Sequence, residues 1–199
     1  MRVVCLDLEG VLVPEIWISV AEATNVKELN LTTRDIPDYH ELMKTRLGIL
    51  KEHRITLPII TGVIAEMKPL EGARDFLDSL REQIQVIILS DTFQEFARPL
   101  MRRLDWPTLF CNSLEVDDSG NITGYRLRQE DGKREAVRAL SSMNLTVYAA
   151  GDSWNDLTMI QEAHRGAFFR PPRSIVEANP TVPVCWDYGE LSRFLLDGE

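Results

Sequence analysis

The chain has 199 residues, of which 44% are hydrophobic and 27% are charged, and its formal net charge is −9 at pH 7. This length predicts one domain, or one domain with an insertion, whose core can do without disulfides or a structural metal. The acidic balance argues against nucleic acid or anionic membranes as partners, and no apolar run approaches the roughly 20 residues that span a bilayer. Three scattered cysteines are typical of a reducing compartment, so we expect a cytoplasmic protein.

Short apolar runs alternate with amphipathic stretches along the chain, a pattern typical of parallel strands linked by helices. The predicted strands are continuous apolar runs, as expected of strands covered on both faces: 3–8, 86–89, 147–150, 167–169 and 182–185. Helical spacing of apolar residues predicts helices over 71–80 and 133–143. Turn residues at 117–121, between two strand-like runs, predict an antiparallel hairpin within 111–128. The pattern predicts an α/β fold.

Residues 15–68 separate the first two predicted strands and carry no strong strand signal. The stretch is too long for a loop in a compact domain, so we predict a small helical insertion. A helix over 36–52 would place Arg46 in the middle of its apolar face. Such an arginine either extends to solvent or pairs with a buried carboxylate. Alternatively, it offers a forked donor to a substrate carboxylate.

Polar residues follow three of the predicted strands: Asp7-Leu8-Glu9-Gly10, Ser90-Asp91-Thr92 and Gly151-Asp152-Ser153-Trp154-Asn155-Asp156. In open α/β sheets ligands bind beyond the carboxyl ends of the strands, so these segments can converge. Helix capping explains Asp7 or Asp156 taken singly. Carboxylates clustered around two strands (Asp7, Asp152 and Asp156) suit Mg²⁺ better, because this ion prefers oxygen ligands.

Two further residues predict an anion site. Capping boxes starting at Asp91 and Thr92 would leave Ser90 free to donate to a ligand. Lys133 lies at the start of a predicted helix, where a cation opposes the helix dipole. The alternative is an ordinary surface lysine, but a bound anion at this helix start would make the position of the lysine favourable.

Together these segments resemble the motifs of the haloacid dehalogenase-like phosphotransferases. Asp7-x-Glu9-Gly10-Val11 is similar to motif one, Ser90 to motif two, Lys133 to motif three, and Gly151-Asp152-x-x-Asn155-Asp156 to motif four. The resemblance spans nearly the whole chain. It implies a Rossmann-like parallel sheet with helices on both faces, a core of residues 1–14 and 69–199, and a helical cap of residues 15–68 inserted after the first strand.

Within that superfamily the chain looks most like the phosphoserine phosphatases. Residues 42–51 are similar to the cap helix whose arginine, here Arg46, binds the substrate carboxylate, and Glu15 resembles the glutamate that receives the substrate ammonium. Two residues depart from the pattern: Asp91 replaces a common glycine, and Glu9 replaces an aspartate. Glutamate at that position resembles bifunctional members that also transfer the phosphoryl group from phosphoserine to homoserine.

The resemblance implies a role for each candidate residue. Asp7 would be the nucleophile and Glu9 the acid/base group, and Mg²⁺ would be held by Asp7, Glu9 and Asp152, with Asp156 also near the metal. The substrate-binding candidates are Glu15, Arg46, Ser90, Asp91, Lys133 and Asn155. Phosphoserine and homoserine are the expected small-molecule partners. A phosphatase for phosphoglycolate or a sugar phosphate and a non-catalytic phosphate-binding module remain alternatives, and a monomer and a homodimer are both open.

Overall fold

The computed structural model of the chain describes residues 1–32, 35–36 and 38–197. Within them the strands are β1 (Arg2–Leu6), β2 (Gln85–Phe93), β3 (Thr108–Val116), β4 (Ile122–Arg126), β5 (Thr146–Gly151), β6 (Arg165–Phe169) and β7 (Val184–Cys185). The α-helices are α1 (Ile16–Thr24), α2 (Tyr39–Glu52), α3 (Leu57–Glu66), α4 (Ala73–Arg81), α5 (Gln94–Arg103), α6 (Gly132–Ser142), α7 (Leu157–Glu162), α8 (Arg173–Ala178) and α9 (Tyr188–Leu196). Short 3₁₀ segments cover Lys27–Asn30 and Trp154–Asp156.

The strands form one sheet in the order β4-β3-β2-β1-β5-β6-β7. Neighbouring strands are parallel except β3 and β4, which form the predicted antiparallel hairpin. In register, Leu6 pairs with Ile88 on one side and Ala150 on the other. Hence the carboxyl ends of β1, β2 and β5 meet at one edge, and the predicted Rossmann-like α/β fold is confirmed.

The sheet is covered on both faces because β1 has apolar side chains at every buried position. Val4 and Leu6 contribute to the larger apolar cluster, which includes residues of α4, α5 and α9. Val3 and Cys5 point the other way, into a cluster with residues of α6 and α7. A strand buried on both faces needs no alternation, which is why the continuous apolar runs predicted these strands correctly.

The hairpin turn follows from the chemistry of Asp117. Its Oδ1 accepts hydrogen bonds from the backbone N–H groups of Ser119 and Asn121, both at 2.9 Å. Gly120 has φ +82°, a left-handed conformation that glycine adopts without strain. This Asx-type turn joins β3 to β4.

One predicted helix begins later than expected, and one local prediction is wrong. The helix predicted over 36–52 is present but begins at Tyr39, because Asp38 caps it by accepting from the N–H of Glu41 at 2.9 Å; Pro37 lies outside the described residues. The capping boxes at Asp91 and Thr92 do not form. Instead, β2 continues across a bulge to Phe93, which pairs with Asn112 of β3, and α5 begins after it.

Helices α1, α2 and α3 lie between β1 and β2 along the chain, in the stretch predicted to be a helical insertion. Helix α3 packs on α1 and α5, and α2 packs on β4, so these helices lie against the body of the fold. Among the residues the structure describes, no helix combines the length and the apolar character needed to cross a membrane.

Candidate active site

Asp7 follows β1 at the centre of the sheet edge, with its side chain buried. Its backbone N–H donates to the carbonyl of Ala150 at 2.9 Å, which continues the pairing of β1 with β5. Its Oδ1 accepts from the N–H of Leu8 at 2.7 Å. Asp7 therefore has a fixed position, set by the strand and by the first residue of the following turn.

Lys133, the second residue of α6, is buried among carboxylates. Its Nζ lies 2.7 Å from Oδ1 of Asp156 and 2.9 Å from Oδ1 of Asp7. A third carboxylate oxygen, Oδ2 of Asp91, lies at 3.5 Å. The cation thus joins residues at the ends of three different strands, and its burial excludes the alternative that Lys133 is an ordinary surface lysine.

Asp156 organises the loop after β5. Its Oδ2 accepts from the backbone N–H groups of Asp152 and Ser153, at 2.9 and 3.0 Å. This packing requires a glycine at position 151, because a Cβ there would stand 2.2 Å from Cγ of Asp156. The capping explanation of Asp156 is therefore correct, although the same carboxylate also meets Lys133.

Three buried carboxylates can serve one metal ion. Ligand oxygens of Asp7, Asp152 and Asp156 lie within 4.8 Å of one another. Gly10, at φ +75°, allows Asp152 to approach, because a Cβ there would lie 2.3 Å from Cγ of Asp152. One buried lysine does not balance three carboxylates, and hard oxygen donors suit a divalent cation such as Mg²⁺. The residues present therefore fit such an ion.

The pKa values reflect this crowding. Burial and the charges of Asp156 and Asp152 raise the pKa of Asp7, although Lys133 lowers it. Burial, together with Asp156, raises the pKa of Asp152 to about 7. For Lys133, burial alone would lower the pKa, but the surrounding carboxylates raise it well above its ordinary value. The cluster therefore favours bound cations or protons.

Glu9 connects this cluster to α1. Its Oε2 accepts from the N–H of Ile16, the first residue of α1, at 2.8 Å. Burial and the charge of Glu15 raise the pKa of Glu9 to about 8, whereas this hydrogen bond and the charges of Arg46 and Lys133 lower it. A carboxyl group with this pKa can hold or release a proton near neutral pH.

Arg46 on α2 is only 7% exposed, so it does not extend to solvent. Its Nη2 donates to the carbonyl of Leu31 at 2.8 Å, while its Nε has no partner. No carboxylate among the described residues lies within 4.0 Å of its nitrogens, so the structure shows no ion pair there. A donor is thus left for a ligand.

Ser90 and Asp91 lie near the carboxyl end of β2. The Oγ of Ser90 accepts from the N–H of Thr92 at 3.2 Å, which leaves its own hydroxyl proton available. Oδ2 of Asp91 accepts from Nδ2 of Asn155 at 2.8 Å. Asn155 thereby joins the loop after β5 to the end of β2.

The structure brings the candidate residues of all four motif-like segments to one sheet edge, with Lys133 in direct contact with Asp7, Asp91 and Asp156. Glu15 precedes α1 and acts electrostatically on Glu9 and Asp152. The chemical roles of these residues stay predictions.

Sequence reasoning missed residues that hold the site from outside the motifs. Tyr39 donates from its hydroxyl to the carbonyl of Asp91 at 3.2 Å, and Asn112 donates to the same carbonyl at 3.1 Å. The guanidinium carbon of Arg46 lies 4.5 Å from the ring centroid of Trp17. No local pattern predicts these contacts, because each joins elements distant in the chain.

An open α/β sheet whose central strand is followed by a buried carboxylate, beside a lysine and two further aspartates, is suited to bind a metal ion and an anion. Comparison with known proteins gives the class of enzyme. The profile described as "haloacid dehalogenase-like hydrolase" matches residues 41–161. The chain therefore belongs to the haloacid dehalogenase-like hydrolases, and it is a phosphatase. Family membership excludes the non-catalytic module.

Individual relatives confirm the resemblance. The chain is 56% identical to phosphoserine phosphatase ThrH of Pseudomonas aeruginosa over 98% of this chain and 96% of that protein. It is 51% identical to a phosphoserine phosphatase of Pseudomonas syringae pathovar tomato, over 97% of this chain and 81% of that one. A solved structure of a phospho-aspartyl intermediate analogue of phosphoserine phosphatase has the same fold, with a TM-score of 0.80 at 19% identity over 98% of each chain.

Proposed function

We propose that the protein is a Mg²⁺-dependent phosphoserine phosphatase that works through an aspartyl-phosphate, and that it also transfers the phosphoryl group from phosphoserine to homoserine. Two relatives that are more than half identical over nearly the whole chain carry the name phosphoserine phosphatase, which supports the substrate. The phosphotransfer rests on Glu9, where the motif commonly has an aspartate.

The observation that carries this proposal is the electrostatic position of Glu9. The charges of Lys133 and Arg46 both lower the pKa of its carboxyl group. Lys133 lies among the carboxylates of the cluster, and Arg46 lies on α2 with its Nε unpartnered. A substrate with a phosphate at one end and a carboxylate at the other would extend between these two cations. Its ester oxygen would then lie near Glu9, and its ammonium near Glu15.

In the first step, an oxygen of Asp7 attacks phosphorus and the bond from phosphorus to the serine oxygen breaks. Glu9, whose pKa is raised to about 8, supplies the proton that the departing serine oxygen needs. Lys133, Ser90 and Asn155 would donate to the phosphoryl oxygens. The products of this step are serine and an aspartyl-phosphate.

In the second step, the Glu9 carboxylate takes a proton from the acceptor hydroxyl as its oxygen attacks phosphorus, and the bond to Asp7 breaks. Water as the acceptor gives inorganic phosphate, and an alcohol gives a new phosphate ester. Homoserine carries the same amino and carboxylate groups as serine, so Arg46 and Glu15 would bind it in the same place.

Asp7 and Asp152, with the backbone carbonyl of Glu9 and with Asp156 nearby, would hold the Mg²⁺. The ion would supply positive charge that reduces repulsion between the anionic nucleophile and the phosphate.

The chain itself would close the site. We propose that residues 15–68 act as the cap over a core of residues 1–14 and 69–199. The three free cysteines support a reducing, cytoplasmic location.

The test is to incubate the enzyme and Mg²⁺ with phosphoserine, phosphoglycolate and a sugar phosphate, each with and without homoserine. Inorganic phosphate and phosphohomoserine are followed separately. We expect the highest kcat/KM for phosphoserine, and phosphohomoserine only when homoserine is present. A preference for phosphoglycolate or the sugar phosphate would support the alternative phosphatase, and release of phosphate alone would contradict the transfer.

Asp7→Asn should lower kcat for phosphoserine by at least about 10³-fold, because the amide cannot form the covalent intermediate. Asp118→Asn, in the exposed hairpin turn, is the matched control and should keep the wild-type rate. The wild type should become labelled when mixed with ³²P-phosphoserine and quenched in acid, whereas Asp7→Asn should not. Labelling of the variant would disprove the assignment of the nucleophile.

A further inference from the structure

The guanidinium of Arg46 is held by an aromatic face rather than by an acid. Its carbon lies 4.5 Å from the centroid of the Trp17 ring. At its edges, Nη2 donates to the Leu31 carbonyl, Nη1 contacts the sulfur of Met43 at 3.8 Å, and Nε has no partner. One face and one edge of the group are therefore fixed, while part of its donor set stays open.

This arrangement differs chemically from a salt bridge. The N–H donors of a guanidinium lie in its plane, so a carboxylate partner occupies them. An aromatic ring attracts the cation through its face and uses no N–H group. Burial lowers the pKa of Arg46 to about 10, so it remains charged at neutral pH. Trp17 can therefore stabilise the charge of Arg46 while the N–H donors of Arg46 stay available for a ligand.

Trp17 is itself held firmly. Its side chain is buried in the larger apolar cluster, and its ring meets the ring of Phe96 edge to face, with centroids 5.5 Å apart. Trp17 belongs to α1, whose first N–H is bound by Glu9. The same short helix therefore connects the candidate acid/base group to the ring that supports Arg46.

We propose that Trp17 is a positioning residue that orients Arg46 towards a substrate carboxylate and thereby sets the preference for amino-acid phosphates. This inference rests on the proposed function, because it requires that Arg46 binds the substrate. The proposed effect depends on the contact of Arg46 with the face of an aromatic ring, and not on the volume of the Trp17 side chain. An aromatic replacement should therefore preserve the effect, and an aliphatic one should not.

The experiment compares Trp17→Phe with Trp17→Leu on phosphoserine and on p-nitrophenyl phosphate, which has no carboxylate. We expect Trp17→Leu to raise KM for phosphoserine about 10-fold, as loss of a desolvated cation–π contact predicts, with kcat nearly unchanged. Its KM for p-nitrophenyl phosphate should stay at the wild-type value. Trp17→Phe should stay within about 3-fold of wild type for both substrates. Trp186→Leu, an exposed tryptophan, is the control.

An equal rise of KM for both substrates, or equal behaviour of the two Trp17 variants, would overturn the inference. A wild-type enzyme that does not prefer phosphoserine would instead overturn the proposed function. Tryptophan fluorescence provides a second test, which measures ligand binding without turnover and does not require the Trp17→Leu variant. Titration with serine should change tryptophan emission in the wild type, and this change should be lost in Trp17→Phe. An identical change in both proteins would contradict the inference.

Discussion

Asp91 places a carboxylate beside donors that a phosphoryl group would need. Its Oδ2 accepts from Asn155 at 2.8 Å and lies 3.5 Å from Nζ of Lys133. Its side chain is 38% exposed, so it can turn towards solvent when another anion enters. In the arrangement seen here, Asp91 contacts both Asn155 and Lys133, and it would compete with a phosphate for them.

Asp91→Asn should therefore strengthen inhibition by inorganic phosphate. The amide oxygen can still accept from Asn155, while the repulsion of an incoming anion is removed. We expect the inhibition constant of phosphate to fall by roughly 10-fold, the size of one partly screened charge interaction. The measurement is competitive inhibition of turnover at several phosphate concentrations, with Asp118→Asn as control. An unchanged or higher constant would show that Asp91 does not oppose the anion.

At the scale of elements, the hairpin of β3 and β4 supports the helices that precede β2. The ring of Tyr125 on β4 lies against Tyr39 and His40 of α2, with a hydrogen bond to Nδ1 of His40. The carbonyl of Gly120 at the hairpin turn accepts from the N–H of Leu57 at 2.8 Å. The beginning of α2 and the beginning of α3 are thus both connected to the hairpin.

Tyr125→Leu should loosen α2 without unfolding the sheet. Loss of the aromatic contacts removes about 1 kcal/mol from this attachment, so amide hydrogens of α2 should exchange roughly 5-fold faster. Exchange in β1 and β5 should be unchanged, and KM for phosphoserine should rise because Arg46 lies on the loosened helix. Phe110→Leu, on β3 of the same hairpin, is the control. Equal exchange of α2 in both variants would disprove the connection.

At the scale of the whole molecule, the buried acidic cluster should make stability depend on pH and on a bound metal ion. The pKa of Glu9 is raised to about 8 and that of Asp152 to about 7, from ordinary values of 4.5 and 3.8. Between about pH 4 and pH 8 the folded chain therefore holds protons that the unfolded chain has lost. Without metal, the free energy of unfolding should fall as pH rises through this window.

Urea denaturation with a chelator present should therefore give a lower midpoint at pH 8 than at pH 5. Glu9→Gln should reduce this difference, whereas Glu52→Gln, on the exposed face of α2, should not. Excess Mg²⁺ should raise the midpoint more at pH 8 than at pH 5, because metal and protons compete for the same carboxylates. Equal midpoints at both pH values without metal would contradict the prediction.

The sequence predicted those features that depend on neighbouring residues. Apolar runs predicted the strands, turn residues predicted the hairpin, and polar residues at strand ends predicted where the candidate site lies. Contacts between residues distant in the chain could not be predicted from local patterns. The capping boxes after Ser90 failed because β2 pairs with Asn112 through a bulge. Glu9 accepts a hydrogen bond from Ile16, seven residues further along the chain, and Arg46 contacts Trp17 from another helix.

The strand order has a consequence for synthesis of the protein. β1 is made first, yet its two partners begin only at Gln85 and Thr146. In a nascent chain, β1 therefore has at most one of its two neighbouring strands until β5 has been made. Asp7, Asp91 and Asp152 can gather only when β5 has left the ribosome, so catalytic competence and completion of the central sheet arrive together.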